Sequence, residues 1–426
     1  MKIIIIFLTS LFFQIVEADI NIQTISDNKN YLHVKIDTLP IVDVNISFTK
    51  GSINDGDYPG LTNLMLNTIM ASDINNQRVI SYFEDVGAQL AYSVNKESLS
   101  ITIRSLSDLK QVLYLTEIIN KTIWTDKINE NILKLEKEKV IRKIGESKKS
   151  PRTILESSIS ERLFENSGLS HEVIGHVGSI KNITSKMLLD HRNKMFNLDN
   201  LQINIVGDID TNSAKKVISI ISAKLLNLKT SKKNNYGIKY SNHHTEFDSS
   251  QSHLAFIIPA VKRDNPDYHN LLVANYFFGG GGFDSWLMQE IRVKRGLSYS
   301  VSSYLGSYKN QGYLRISLQT KNSNLKLTKE IIFKQLERLK KFDVSDNKIE
   351  IAKNSILKNF EMRADTNRKI LNLISAINYL GLPLNYFQDY KNKLMKVNKE
   401  TIKNALGSSI DFDNISILSV GKSIEQ

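Results

Sequence analysis

Apolar and polar residues alternate in some segments of the chain and follow a helical period in others. In the first half, these patterns predict strands at residues 42–48, 99–103 and 202–207. Apolar residues at helical spacing predict helices at residues 61–71, 107–121, 127–146, 151–166 and 184–196. We expect the 42–48 strand to be half-buried, because polar side chains occupy every second position.

The second half repeats this order of elements. Apolar or alternating runs predict strands at residues 253–261, 314–318 and 415–421. Helical spacing predicts helices at residues 268–278, 325–341, 346–363 and 366–380. The similar order suggests that one structural unit is used twice.

Two short repeats support a duplication. Residues 91–94 recur as residues 298–301, and Val206-Gly207 recurs as Val420-Gly421, at offsets of 207 and 214 residues. Both offsets are close to half the chain length. We predict an α+β fold of two homologous domains, each a mainly antiparallel sheet packed with helices. The predicted segments are an N-terminal domain at 19–229, a polar linker at 230–247 and a C-terminal domain at 248–426.

The N-terminus has the pattern of a signal peptide. Met1-Lys2 is followed by a mostly apolar run and then by Val16-Glu17-Ala18, so we expect residues 1–18 to be removed after Ala18. An uncleaved anchor or a buried first helix are the alternatives. The run is short for a membrane-spanning helix, which needs roughly 20 apolar residues. We therefore expect an exported, periplasmic protein without a stable membrane anchor.

The composition narrows the possible chemistry. The 426 residues are 41% hydrophobic and 23% charged, which is typical of a globular chain. Cysteine is absent, which excludes thiol nucleophiles, cysteine-ligated zinc and iron–sulfur clusters. The formal net charge is +12, but basic residues alternate with acidic ones along predicted helices. This mixture favours solvated helix faces over a nucleic-acid surface.

The most distinctive segment begins with four glycines, Gly279, Gly280, Gly281 and Gly282. Glycine allows the backbone to approach a ligand or partner closely. The segment is not a phosphate loop, because no Gly-Lys-Ser/Thr follows. A helix is predicted at about 285–294, then a turn at Gly296, then a strand that carries Tyr299. Taken singly, Arg292 could simply complement a helix dipole, and Tyr299 could simply pack in a strand.

Residues 279–301 resemble the C-terminal half of the insulinase, pitrilysin and mitochondrial processing peptidase family of zinc peptidases. In that family a glycine-rich turn precedes a helix ending in arginine, and a tyrosine follows seven residues later. Arg292 and Tyr299 have this spacing. The resemblance implies the pitrilysin-like two-domain fold. It also implies that Tyr299 stabilises an oxyanion, that Arg292 holds substrate, and that residues 279–282 line the peptide-binding chamber.

The resemblance also identifies where zinc ligands should lie in the first half. The family has Gly-Leu-x-His-x-x-Glu-His on a helix and a further glutamate about 76 residues later. The matching positions here are Asn63, Leu66, Asn67 and Lys143. Amides are poor zinc ligands, leucine cannot activate water, and a lysine cation repels a metal. We therefore expect no metal in this chain.

Two other histidine groups are weaker candidates. His171 and His176 flank a glutamate but are five residues apart, so on a helix the two rings would diverge by about 140°. The family has a loop at this place, so a structural loop is favoured. We expect His243 and His244, near the linker, to be solvated.

These observations lead to a main hypothesis and two alternatives. The family's members of this size work as pairs, with zinc in the first half of one chain and the arginine and tyrosine from the other. The chain is then the zinc-less subunit of an exported heterodimeric peptidase, whose homologous partner supplies zinc for peptide hydrolysis. The alternatives are a non-catalytic structural or peptide-binding scaffold, and a peptidase with a relocated metal site.

Overall fold

The computed structural model describes residues 21–26, 28–227 and 237–423. The predicted signal peptide and residues 230–236 of the predicted linker lie outside the described residues. The first half contains a six-stranded sheet and a small two-stranded one. Its strands are β1 (Gln23–Ile25), β2 (Asn28–Lys35), β3 (Ile41–Phe48), β4 (Asp73–Ile74), β5 (Gln77–Arg78), β6 (Gln89–Val94), β7 (Leu99–Leu106) and β8 (Leu201–Gly207).

Within the described residues, the first half also contains eight α-helices. They are α1 (Leu61–Met70), α2 (Val79–Glu84), α3 (Leu109–Ile123), α4 (Glu130–Ser147), α5 (Pro151–Leu163), α6 (Val177–Asn182), α7 (Ser185–Met195) and α8 (Thr211–Ser222). Several begin with a side-chain cap, such as Asp108, which accepts hydrogen bonds from the amides of Lys110 and Gln111. The five helices predicted in this half are present, with shifted ends.

The second half is built in the same way around a five-stranded sheet. Its strands are β9 (His243–Glu246), β10 (Gln251–Ala260), β11 (Val301–Ser307), β12 (Gly312–Lys321) and β13 (Ser416–Gly421). Its α-helices are α9 (Tyr268–Asn275), α10 (Leu325–Lys341), α11 (Asp346–Glu361), α12 (Asn367–Leu380), α13 (Tyr386–Met395) and α14 (Lys399–Ser409). The predicted helices α10, α11 and α12 agree with the structure within two residues at each end.

Sheet topology confirms the duplicated α+β fold. The first sheet has the order β1-β2-β8-β3-β7-β6, and the second, read from its other edge, has the order β9-β13-β10-β12-β11. In both sheets one pair is parallel, β2 with β8 and β9 with β13, and the other pairs are antiparallel. The Val-Gly repeat therefore marks equivalent ends of β8 and β13. The repeat of residues 91–94 is fortuitous, because the first copy lies within β6 and most of the second precedes β11.

Each half lends a helix to the sheet of the other half. Helix α5, from the first half, packs on β10 and β13, where Leu155 and Ile159 join Ile257 and Val420 in one apolar cluster. Helix α12, from the second half, packs on β2, β3 and β8. A second face of each sheet is thus buried against a helix from elsewhere in the chain.

The prediction that strand 42–48 is half-buried is wrong for this reason. The apolar residues of β3 face the first-half core, but Asp43 and Asn45 are also buried. Asp43 forms an ion pair with Arg104 at 3.1 Å. Asn45 accepts hydrogen bonds from Asn204 at 3.2 Å and from Ser375 of α12 at 3.3 Å. The strand therefore has buried polar positions as well, and Asn45 links it by a hydrogen bond to the second half.

Two further predictions near the linker need correction. Residues 243–246 of the predicted linker form strand β9, which pairs with β13. His243 and His244 are therefore half-buried rather than solvated, and His244 Nδ1 lies 2.9 Å from Ser419 Oγ. The second sheet thus begins inside the segment that its polar composition had marked as a linker.

Asn378 is the centre of the contact between the halves and can be tested directly. Its Nδ2 donates to Asn204 Oδ1 at 2.8 Å and to the Asn30 carbonyl at 3.0 Å. Asn378→Ala should lower the free energy of unfolding by about 1–3 kcal/mol, because it leaves buried acceptors unpaired. Urea unfolding of wild type and variant measures this. Asn372→Ala, at an exposed position of the same helix, is the matched control, and equal losses would contradict the role of Asn378.

Candidate functional site

The glycine-rich segment folds into short, irregular helical turns. Helix α9 continues as a π-helical turn at Tyr276–Gly280, followed by a 3₁₀ turn at Gly282–Asp284. A second π-helical turn, Met288–Val293, carries Arg292 in place of most of the predicted 285–294 helix. Gly296 then reverses the chain with φ +61°. Single π turns of this kind often accompany functional sites.

The structure brings Arg292 and Tyr299 into contact. The Arg292 guanidinium carbon lies 4.7 Å from the centre of the Tyr299 ring and 4.6 Å from that of Phe283, so the charge contacts two aromatic rings. Both rings are exposed, and Tyr299 is 77% accessible. Cation–π contacts at such exposed positions contribute about 0.5–1 kcal/mol each. Arg292 and Tyr299 therefore form one exposed unit.

Hydrogen bonds on either side of Tyr299 fix the backbone from which this exposed side chain projects. The Thr320 hydroxyl donates to the Leu297 carbonyl at 2.7 Å, and the buried Ser298 hydroxyl donates to the Ser300 carbonyl at 2.7 Å. Tyr299 lies in this fixed bend, two residues before β11 begins, so the prediction that it lies within a strand is wrong. Nearby Glu290 pairs with Lys294 and Arg295. Within the described residues Arg292 has no carboxylate partner.

The four glycines have different surroundings. A Cβ on Gly279 would lie 2.5 Å from Ser303 Oγ and 2.9 Å from its amide nitrogen, so this glycine lets the turn pack against β11 of the same chain. Side chains on Gly280 and Gly281 would collide with atoms of α9 and the turn itself. Gly282 is exposed, with φ +69° and no atom within 4 Å of a Cβ. Close approach to a ligand remains a prediction, and among the four glycines Gly282 is the one with open space at its Cβ position.

Phe283 is a site residue that the sequence reasoning missed. It follows directly after the glycines, is 60% exposed, and its ring centre lies 4.6 Å from the Arg292 guanidinium carbon. The sequence feature that could have identified Phe283 is its large apolar side chain directly after a glycine-rich turn. Its effect is to fix the arginine by two ring faces instead of one.

The positions that match the family's zinc ligands lie on two helices that pack together, α1 and α4. Asn63 and Asn67 are half-buried on one face of α1, Leu66 is fully buried in the core, and Lys143 is exposed on α4. Leu66 is therefore a packing residue here. No cluster of three or more potential metal ligands occurs among the described residues.

The start of α1 is anchored by a buried polar network. Asp55 accepts hydrogen bonds from the amides of Gly60 at 2.7 Å and Thr62 at 2.8 Å, and from the Thr62 hydroxyl. Burial raises the pKa of Asp55 to about 6, against the lowering effect of these hydrogen bonds. His191 Nε2 lies 2.8 Å from Thr62 Oγ1. This network fixes the first turn of the helix by hydrogen bonds.

The loop that contains His171 and His176 also supports α1. Gly175 has φ +72°, and a Cβ there would lie 2.0 Å from the Pro59 carbonyl oxygen. The Ser179 hydroxyl donates to the same carbonyl and lies 2.9 Å from His176 Nδ1. The segment is a loop, as predicted.

A second group missed from the sequence lies on α4. Glu136 is buried and pairs with Lys139 at 2.6 Å. The pKa of Tyr92, on the edge strand β6, is raised by burial and by the charge of Glu136. Glu136 and Lys143 are seven residues apart, so they lie along one face of α4. Only the packing of α4 against its neighbours distinguishes Glu136 from the other glutamates of this helix.

Comparison with known proteins identifies the family. Residues 33–176 match the family model described as "Insulinase (Peptidase family M16)", and residues 182–356 match the model "Peptidase M16 inactive domain". Together the two matches span well over half of the chain. The chain belongs to peptidase family M16. Its first half carries the M16 peptidase-type domain and its second half the M16 inactive-type domain.

Two M16 relatives and a solved structure match between 65% and 96% of the chain. A "Non-peptidase homolog YmxG" from Helicobacter pylori is 23% identical over 397 residues, 89% of this chain and 88% of that protein. An "Uncharacterized zinc protease YmxG" from Bacillus subtilis is 24% identical over 65% of this chain and 67% of that protein. A crystal structure of an M16 inactive domain from Pseudomonas fluorescens superposes with a TM-score of 0.87 at 24% identity, covering 96% of this chain and 99% of that one.

The comparisons confirm the pitrilysin-like α+β fold with two M16 domains. Helix α1 carries Asn63, Leu66 and Asn67 at the positions where the family has its zinc-binding motif. The sequence has no His-x-x-Glu-His segment at any position. No helix of the described residues combines the length and apolarity that a membrane crossing requires.

The buried network at α1 predicts a pH dependence of stability. Burial, assisted by Lys194 and Lys50, lowers the pKa of His191 to about 4. The unfolded chain, with an ordinary histidine pKa of about 6.5, then binds more protons, so stability falls as the pH falls from 6.5 to 4. His191→Gln should remove up to about 1.4 kcal/mol of this loss per pH unit.

Urea unfolding of both proteins at several pH values between 4 and 7 measures the effect. Asp55 titrates in the opposite sense but is present in both proteins. Parallel pH profiles for wild type and His191→Gln would contradict the prediction.

Proposed function

We propose that this chain is the zinc-less subunit of an exported, paired M16 peptidase. A homologous partner chain would carry zinc and the general base, and this chain would supply Arg292 and Tyr299 to the partner's site. The observation that most directly supports this proposal is the exposed Arg292–Tyr299 unit. Hydrogen bonds on both sides of Tyr299 fix the backbone of this bend. A tyrosine that is 77% accessible, in a bend whose backbone is held by hydrogen bonds, suits a role toward another molecule.

The chemistry assigned to each residue follows from its type. The phenol of Tyr299 can donate one hydrogen bond to the oxyanion that forms when water attacks a peptide carbonyl. The Arg292 guanidinium keeps its positive charge and several donors, and Phe283 and Tyr299 restrict its position. It can therefore hold a substrate carbonyl beside the tyrosine. The peptide bond is cleaved by groups of the partner chain.

The degenerate helix α1 supports the assignment of zinc to a partner. Asn63 and Asn67 offer only amide groups, and Leu66 is buried where the family has its general base. The Asp55 network holds this helix by protein hydrogen bonds alone. The domain can thus keep the M16 shape while chemistry takes place elsewhere.

The second candidate is a non-catalytic structural or peptide-binding scaffold. The name of the Helicobacter pylori relative, a non-peptidase homolog, favours it. Under this alternative the Arg292–Tyr299 unit contributes only to assembly or packing. The two functions therefore predict different effects on turnover when the phenolic oxygen of Tyr299 is removed.

Tyr299→Phe tests the catalytic assignment. In the reconstituted pair the variant should lower turnover at least about tenfold, because one oxyanion donor is lost, with assembly unchanged. Turnover of a reporter peptide and the sedimentation profile of the pair measure the two properties. Tyr114→Phe, another exposed tyrosine, is the matched control. Unchanged turnover with normal assembly would favour the scaffold.

Metal analysis tests the remaining alternative of a relocated zinc site. The purified chain, equilibrated with zinc and then dialysed, should retain less than one equivalent, because the described residues contain no ligand cluster. Elemental analysis by mass spectrometry measures the content. Stoichiometric zinc that survives dialysis would overturn the assignment of the metal to a partner.

A further inference from the structure

A cavity of about 310 Å³ lies in the second half, at the position equivalent to the degenerate zinc site of the first. It is enclosed by α9, α11 and the edge strand β11, which correspond in the duplicated fold to α1, α4 and β6. All residues that line it belong to this chain, so it does not depend on a partner.

The cavity is cationic. Arg263 and Arg363 line it, and no aspartate or glutamate does. Neither arginine forms an ion pair with a carboxylate within the part of the chain that the structure describes. Burial, with the charges of Lys393 and Arg263, lowers the pKa of neighbouring His269 to about 4. Positive charge is thus concentrated here without a compensating acid.

Arg263 is held in a fixed orientation. Its Nε donates to the Tyr386 hydroxyl at 3.0 Å, and its guanidinium carbon lies 5.3 Å from the Tyr386 ring centre and 6.0 Å from that of Tyr268. One side of the guanidinium is therefore occupied by tyrosines. A guanidinium with free donors in a fixed plane suits a carboxylate, which accepts two parallel hydrogen bonds.

The other lining residues are mainly aliphatic or aromatic, apart from Asn275, Asn359 and Gly280. Leu272, Ile356, Phe360 and Tyr390 line the cavity beside the arginines. Phe360 and Tyr390 stack with ring centres 3.7 Å apart, so this wall is rigid. Inorganic phosphate would leave these surfaces without a partner. A ligand that carries an anionic group on an apolar body would contact both parts.

We propose that this cavity binds an organic carboxylate carried on an apolar or aromatic body of one or two residues' size. Arg263 and Arg363 hold the carboxylate, and the rings and aliphatic side chains hold the body. Two sources share this chemistry, the C-terminal end of a peptide and a free carboxylic acid. The site is separate from Arg292 and Tyr299, which do not line the cavity.

Calorimetric titration of the full chain tests the proposal. The probes are N-acetylphenylalanine, its C-terminal amide, a tripeptide ending in phenylalanine and inorganic phosphate. The free acid should bind roughly tenfold or more tightly than its amide, because a charged hydrogen bond is lost. Binding of the tripeptide identifies a peptide end as a source, and binding of the small acid alone identifies a free acid. Phosphate should bind more weakly than the acid.

Variants then locate the binding. Arg263→Gln and Arg363→Gln should each weaken binding of the acid roughly tenfold, while Arg142→Gln, an exposed arginine of α4, should not. Arg363 is exposed, so its variant keeps the test valid if Arg263→Gln fails to fold. Equal binding of acid and amide, equal loss in Arg142→Gln, or no saturable binding at about 10 mM would overturn the proposal.

Discussion

The structure depends on the exchange of helices between its two halves. Helix α12 covers β2, β3 and β8 of the first sheet, and α5 covers β10 and β13 of the second. Each sheet is therefore buried on a face that its own half leaves open. Arg315 of β12 donates two hydrogen bonds to Glu156 of α5, one of them at 2.7 Å, so a largely buried charge adds orientation to the apolar contact. The two halves are therefore held together by α5 and α12, since each helix packs on the sheet of the other half.

This exchange accounts for a group of buried polar residues between the halves. A buried amide costs free energy unless its hydrogen bonds are made, and at this contact the side chains of Asn45, Asn204 and Asn378 are hydrogen-bonded to one another. Asn204 and Asn378 donate and accept within one chain of bonds that also reaches Asn45. Such a network forms only when α12 lies in one register on the sheet. It therefore favours a single arrangement of the two halves.

The duplicated fold places two sites in equivalent surroundings and gives them different chemistry. In the first half, α1 and α4 carry neutral amides, a buried leucine and an exposed lysine where the family has zinc ligands. In the second half, the equivalent space is a cavity with two arginines and tyrosine walls. The Arg292–Tyr299 unit lies on a separate, exposed bend. The scaffold has thus been kept while the polar groups on it have changed.

Local patterns in the sequence were enough to find many of the helices and strands, the duplication and the spacing of Arg292 and Tyr299, because these depend on neighbouring residues. The sequence could not show that residues 42–48 are buried on both faces, since α12, which covers them, comes more than 300 residues later. Phe283 and Glu136 were missed for the same reason: their roles arise from contacts across turns and helices. Alternation of apolar and polar residues along a strand shows that its two faces differ, but only tertiary packing determines what covers each face.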